Sequence, residues 1–359
     1  MACAALAAGA VAGSRHEGGG EREVPAGRTE ARPPEPPFSR LPDVISTSQS
    51  GLFDEARVEG WRDAVPSIQE VRITSTRDRS PQPALWLPPA GDGPRPLLVV
   101  LHSWSTGYEN IAGMPFARWA RRRGWAVVQP DYRGPFDRPQ ATGSDLAVQD
   151  VLDAIDFASR DEGVDPERVF VVGFSGGGMM SLLLAGRHPD RFAGVVSWVP
   201  IDDLSAWYEY TRAADPRYAE EIAASCGGDP TAVAAALAEC ERRSPRAYLA
   251  AARRARVPIY IGHGLDDPVV PPDHALRAFN RLVAPKDAVA PNVVAATARN
   301  ELPAGARSST GVRTYFRAPD PSVLFARRSG PVTVVLFDGE HDMVYHPGLE
   351  WMAGLARGG

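Results

Sequence analysis

Residues 169–184 read as a strand, a sharp turn and a helix run together, and this unit restricts the chain to few architectures. Val169-Phe170-Val171-Val172 has the β-branched and aromatic content of a buried strand. Gly173-Phe174-Ser175-Gly176-Gly177 follows, and a helix-like segment continues through Met179, Met180, Leu182, Leu183 and Leu184. Strands that feed helices in alternation argue for a mostly parallel sheet. The same alternation recurs along the chain. Apolar strand-like runs lie at 97–101, 125–128, 192–199, 257–261 and 332–337. Continuous runs such as 97–101 suit a strand buried on both faces. Between them, a helix is predicted over 111–123. Val148, Val151, Leu152 and Ile155 show the i, i+3, i+4, i+7 spacing of one buried helical face. Residues 71–74 and 84–87 are expected to pair antiparallel ahead of this array, with turn chemistry at 77–81. The predicted fold class is α/β, with helices on both faces of a mostly parallel central sheet.

Ser175 is the centre of a G-x-S-x-G pentapeptide in strand–turn–helix context, which makes it a candidate nucleophile. A serine hydroxyl is a weak nucleophile at neutral pH and needs a base, and the base needs an orienting acid. Both types follow in the order Ser, Asp, His, each just past a strand-like run. Asp266 and Asp267 follow residues 257–261, and His341 follows residues 332–337. Ligands of open α/β sheets bind outside the carboxyl ends of the strands, so three distant residues are delivered to one rim. His341 is the candidate base, with His346 as its rival. His102 and His263 are expected to hold loops. His188 is expected at a helix end, His274 on a surface helix and Glu340 in solvent. The Gly176 N–H is expected to donate to the oxyanion of a tetrahedral intermediate, and the Trp104 N–H to serve as second donor.

At these residues the chain resembles an α/β-hydrolase of the prolyl-oligopeptidase-like kind. His263 to Pro271 fits the H-G-x-x-D-x-x-V-P acid motif of that family, which implies Asp267 as the acid. Gly339-Glu340-His341 and Asp131-Tyr132-Arg133-Gly134 are similar to further family patterns. The resemblance covers roughly the last three quarters of the chain. It implies the catalytic machinery without the propeller of true prolyl oligopeptidases, for which 359 residues leave no room. His102-Ser103-Trp104 departs from the family's His-Gly. A helical cap is expected over 201–256 and a polar insertion over 284–329. Trp207, Tyr208 and Tyr210 in the cap either line a substrate pocket or pin the cap to the body.

The hydrolase domain is expected over 40–359. Residues 1–39 read as a tail, apolar at 2–13 and then rich in Gly, Glu, Arg and Pro without apolar period. The start has the length of a signal-peptide core and an Ala10-Val11-Ala12 cleavage pattern, but no basic residue precedes Arg15. Export and a simple Ala-rich tail are both open. Neither reading gives an integral membrane segment. Cys226 and Cys240 form a disulfide if the protein is exported, or two buried thiols otherwise. Their surroundings, from Asp229 to Glu239, are predicted helical, with Asp229 as cap and Pro230 in the first turn. No Cys/His spacing suits a metal, and no cofactor is expected. A net charge of −5 without a basic, aromatic patch argues against nucleic acid. The expected partner is a small-molecule or peptide substrate. Ester hydrolysis leads. A small serine peptidase, acyl transfer to another acceptor, and a non-catalytic binding protein on the same scaffold are the alternatives.

Overall fold

The computed structural model describes residues 46–47 and 58–357, so the tail to residue 39 lies outside the described residues. Nine strands among the described residues form one sheet in the order β1-β2-β4-β3-β5-β6-β7-β9-β8. They are β1 (Gln69–Thr74), β2 (Pro81–Leu87), β3 (Arg95–Leu101), β4 (Ala126–Pro130), β5 (Val164–Phe174), β6 (Gly194–Trp198), β7 (Ile259–Gly264), β8 (Val323–Ser329) and β9 (Val332–Phe337). The run β4-β3-β5-β6-β7-β9 is parallel. β1 and β2 join one side antiparallel, as their turn chemistry predicts, and β8 closes the other side antiparallel to β9.

The helices are α1 (Val58–Ala64), α2 (Met114–Arg123), α3 (Asp145–Ala158), α4 (Gly176–Arg187), α5 (Leu204–Ala214), α6 (Pro216–Cys226), α7 (Ala234–Arg243), α8 (Leu249–Ala255), α9 (Asp273–Leu282), α10 (Pro291–Thr297) and α11 (Tyr345–Arg357). Alternation along each strand sorts side chains into two cores. Leu97, Val99 and Leu101 of β3 pack with α3, α4 and α9, whereas Leu98 and Val100 pack with α1, α2 and α11. β5 does the same with Val169 and Val171 against Phe170 and Val172. Both faces are covered, which is why these strands are continuously apolar. This is the α/β-hydrolase fold.

Three expectations need correction. The helical excursion after β6 is shorter than 201–256. Its last helix, α8, packs on α4 and α9 and is the ordinary crossover into β7. Asp229 caps a turn rather than a helix. Its carboxylate accepts from both the N–H and the hydroxyl of Thr231 at 2.7 Å, and α7 begins only at Ala234. Such local side-chain bonds compete with helix formation. Residues 284–329 are more than a polar insertion, because they end in the edge strand β8. Arg327 and Arg328 hid it in the sequence. Charged residues on an edge strand discourage pairing with another chain.

Cys226, the last residue of α6, is joined to Cys240 within α7 by a disulfide with Cα atoms 5.3 Å apart. A bridge closing a loop of this size stabilises by about 2–4 kcal/mol. The Cys226→Ser/Cys240→Ser variant is expected to lose about that much in urea unfolding. An unchanged midpoint would show that the cap is held by packing alone.

Candidate functional site

Ser175 joins β5 to α4 in a conformation few L-residues adopt, with φ 56° and ψ −115°. Its N–H donates to the Trp198 carbonyl at 2.9 Å. The turn closes only because side chains are missing around it. A Cβ on Gly173 would lie 2.0 Å from the Gly177 carbonyl oxygen. A Cβ on Gly177 would lie 2.5 Å from the Leu101 carbonyl oxygen and 2.6 Å from that of His102. Both obstacles are backbone atoms within a packed sheet. Gly177→Ala is therefore expected to destabilise the protein by about 1–3 kcal/mol, read by thermal unfolding. An unchanged melting temperature would mean that β3 can retreat from α4.

Asp267 lies in the loop after β7 and is fully buried. Its Oδ1 accepts from the Val269 and Val270 N–H groups at 2.8 and 2.9 Å. Its Oδ2 is 2.7 Å from His341 Nδ1 and 3.1 Å from His263 Nε2. Burial alone would raise the pKa of this carboxyl. The neighbouring His341 and His263 outweigh burial and hold it well below the usual carboxylate range. An ionised carboxylate only accepts, so His341 Nδ1 carries the proton. His341 Nε2 then has its lone pair free, 3.0 Å from Ser175 Oγ. The His341 ring rests against Phe174, with centroids 5.0 Å apart. Asp266, by contrast, is exposed.

The remaining histidines sort by burial and partner. His102 stacks on Tyr132 at 4.0 Å and lies between the Ser103 and Asp131 carbonyls. The Tyr132 hydroxyl donates to the His102 carbonyl at 2.6 Å. This pair braces the loop after β3. His263 Nε2 is 2.9 Å from the Val270 carbonyl, which braces the acid loop. His188 caps the end of α4. His346, the rival base, lies in the first turn of α11 together with Pro347. Its Nδ1 faces Asp320 at 3.3 Å.

His274 is not on a surface helix face. It is buried, and its Nδ1 accepts the Asp202 N–H at 3.1 Å. Burial lowers its pKa to about 3. The fold therefore favours neutral His274. Its contribution is fully present above about pH 6.5 and is lost as pH falls toward 3. Asp202 acts oppositely: burial, partly offset by Arg281, raises its pKa to about 6. Its contribution is present below its unfolded pKa and lost as pH rises to about 6. Relative to His274→Gln, the wild type is expected to lose stability on acidification from pH 6 to 4, by up to ~1.4 kcal/mol per pH unit. Urea unfolding at several pH values measures this, and a constant difference between the two proteins refutes it.

Ser175 and His341 open into a cavity of about 200 Å³, walled by Ser103, Trp104, Ser105, Thr106, Asn110 and Tyr218 among others. The Trp104 backbone nitrogen faces Gly176, 2.8 Å from where a Cβ on that glycine would stand. Gly176 opens α4, where the first backbone N–H groups lack partners within the helix. Of the cap aromatics named from sequence, Trp207 and Tyr210 pin the cap. Trp207 Nε1 donates to the Val269 carbonyl and the Tyr210 hydroxyl to that of Pro268, both at 2.8 Å. The cap residue at the cavity is Tyr218 of α6, which sequence reading missed. No spacing rule marks it, because α6 reaches the rim only through tertiary packing.

Residues 116–298 match the prolyl oligopeptidase family. NocK of Nocardia uniformis subsp. tsuyamanensis, named as an esterase, is 31% identical over 183 residues, covering 48% of this chain and 51% of NocK. Feruloyl esterase B of Thermothelomyces thermophilus is 25% identical over 226 residues, covering 60% of this chain and 74% of that protein. Dipeptidyl aminopeptidase BIII of Pseudoxanthomonas mexicana is 27% identical over 186 residues, covering 50% of this chain and 26% of the peptidase. The chain thus spans about half the length of NocK and about a quarter of the aminopeptidase.

Proposed function

The chain belongs to the prolyl oligopeptidase family, and from that premise we propose that it is a serine hydrolase cleaving a carboxylic ester through Ser175, His341 and Asp267. The observation that carries this reading is the hydrogen-bonded run Asp267–His341–Ser175, with contacts of 2.7 and 3.0 Å, ending in an open cavity. Ser175 Oγ attacks the acyl carbon while His341 Nε2 takes the hydroxyl proton. Asp267 stabilises the imidazolium and fixes its tautomer. The carbonyl oxygen becomes an oxyanion that accepts from the Gly176 and Trp104 N–H groups. Collapse expels the alcohol, protonated by His341. Water then repeats the cycle on the acyl-enzyme, releasing the acid and restoring Ser175.

An ester is favoured over a peptide by the cavity wall. Hydroxyls, aromatic rings and one amide line it beside His341, with neither carboxylate nor guanidinium among the described lining residues. A peptidase that grips a free amino terminus needs an unengaged acid there. Glu221 of the cap is bound to Trp104, a wall residue, and to Arg217. NocK and feruloyl esterase B bear esterase names and support this choice, while the aminopeptidase keeps the peptide reading as the second one. Assays with p-nitrophenyl acetate and aminoacyl p-nitroanilides separate them, and anilide turnover above ester turnover refutes ester preference. A fluorophosphonate probe should label the wild type and not Ser175→Ala. Equal labelling refutes the catalytic reading.

The Cys226–Cys240 bridge supports export to an oxidising compartment. Thiol alkylation of protein from culture fluid and from lysate tests this. A reduced pair confined to the lysate overturns it.

A further inference from the structure

Glu221 takes no part in the triad, yet it is tied to the loop beside it. Its Oε2 accepts the indole N–H of Trp104 at 2.7 Å. Its Oε1 accepts from Arg217 Nη1 at 3.2 Å, one turn earlier on the same face of α6. That Arg217 nitrogen also donates to Ser105 Oγ at 3.3 Å. The guanidinium lies over the Tyr218 ring, 4.2 Å from its centroid. One carboxylate and one guanidinium from the cap thus hold two adjacent residues of the loop after β3.

We propose that Glu221 is a positioning residue for the oxyanion site: by holding the Trp104 indole it fixes where the Trp104 backbone N–H points. The proposal rests on the hydrolase reading above. Trp104 is almost fully buried, at 2% exposure, so its ring has little room to find another acceptor. The ring is packed edge-on against Trp207 and Phe136, with centroids 4.8 and 5.2 Å away. Its carbonyl is also fixed, accepting from the Phe136 N–H at 2.8 Å. The amide that carries the Trp104 N–H has its own carbonyl, that of Ser103, beside His102 Nδ1 at 2.9 Å and accepting from the Thr106 hydroxyl at 3.3 Å, so the indole and the Trp104 carbonyl fix the other end of this unit, the Trp104 Cα. Removing the indole's acceptor releases the side-chain anchor and lets the Trp104 Cα shift, which tilts its N–H about the held Ser103 carbonyl. Oxyanion donors act on charge that develops only in the transition state, so the loss falls on kcat and leaves KM alone.

The test compares wild type, Glu221→Gln, Glu221→Leu, Trp104→Phe and the Trp104→Phe/Glu221→Leu double variant. Each is assayed for kcat and KM on p-nitrophenyl acetate and for the rate of labelling by a fluorophosphonate, whose phosphoryl oxygen enters the same site. Complete loss of a donor costs about 10²–10³ in kcat, so displacement in Glu221→Leu is expected to cost about 10–100-fold, with KM within about twofold. The amide oxygen of Glu221→Gln still accepts from the indole, so that variant should stay within about threefold of wild type. Trp104→Phe has no indole N–H, so adding Glu221→Leu should cost nothing further. A wild-type kcat in Glu221→Leu, equal loss in Glu221→Gln, or the same loss on both Trp104 backgrounds overturns the proposal. Thermal unfolding is checked first, and Glu221→Met replaces Glu221→Leu if the latter fails to fold. If neither folds, Glu221 is structural and the proposal falls. A wild type that neither labels nor turns over ester overturns the hydrolase reading too. A competent wild type indifferent to residue 221 overturns this inference alone.

Discussion

Ser175→Ala is expected to lower kcat on p-nitrophenyl acetate by about 10⁴–10⁶-fold, with thermal unfolding within a few degrees of wild type. The size follows from the role proposed for Ser175, since without its oxygen no acyl-enzyme can form. What remains is the contribution of substrate binding and of the two amide donors proposed above, which do not depend on this side chain. Stability should hold because the strain belongs to the backbone. The φ of 56° is imposed by β5 and α4, and alanine inherits it without adding an atom. His341→Ala should cost a similar factor, and the double variant little more, because the two residues act as one unit. Steady-state kinetics on the four proteins checks this. Residual activity within tenfold of wild type in Ser175→Ala would place the chemistry elsewhere.

Asp267→Asn is expected to lower kcat by about 10⁴-fold while leaving the nucleophile and its base in place. Asparagine can keep its oxygen toward the Val269 and Val270 N–H groups, which now bond Oδ1 at 2.8 and 2.9 Å. Its amide N–H₂ must then face His341 Nδ1 and His263 Nε2, where a carboxylate oxygen stood at 2.7 and 3.1 Å. A donor at that position forces the His341 proton onto Nε2, which turns a proton toward Ser175 instead of a lone pair. His263 cannot relieve the clash, because its Nε2 also faces the Val270 carbonyl at 2.9 Å. Asp267→Asn should therefore lose about 1–3 kcal/mol of stability as well, from buried donors left without acceptors. The measurements are kcat across a pH series and urea unfolding. An Asp267→Asn enzyme within tenfold of wild type would remove Asp267 from the mechanism.

Much of the fold was legible because its signals are local. A strand buried on both faces must be apolar throughout, so residues 97–101 and 169–172 announced themselves, and four apolar residues at helical spacing marked α3. The failures have separate causes. β8 carries Arg327 and Arg328 because an edge strand faces solvent, so its composition matched a loop. His274 looked exposed because its helix is strongly amphipathic, and sequence spacing did not reveal which face met β7 and β9. The Asp229 side chain closed a turn on Thr231 before a helix could start, a competition between two local structures that composition alone does not rank.

By itself the sequence determined the alternating α/β scaffold, the strained turn at Ser175 and the order of serine, acid and histidine. Each depends on neighbours within a few residues, or on strand ends that the sheet must bring to one rim. The motif resemblance already implied Asp267 over Asp266, and tertiary structure supplied the reason: residue 267 is buried against His341 while residue 266 stays in solvent. Tertiary structure alone decided that α6 of the cap brings Tyr218 and Glu221 to the loop after β3. Trp104 and Glu221 are 117 positions apart, and the sequence between them carries no periodic signal of that contact. It exists because the cap packs its aromatic face over the carboxyl ends of the strands.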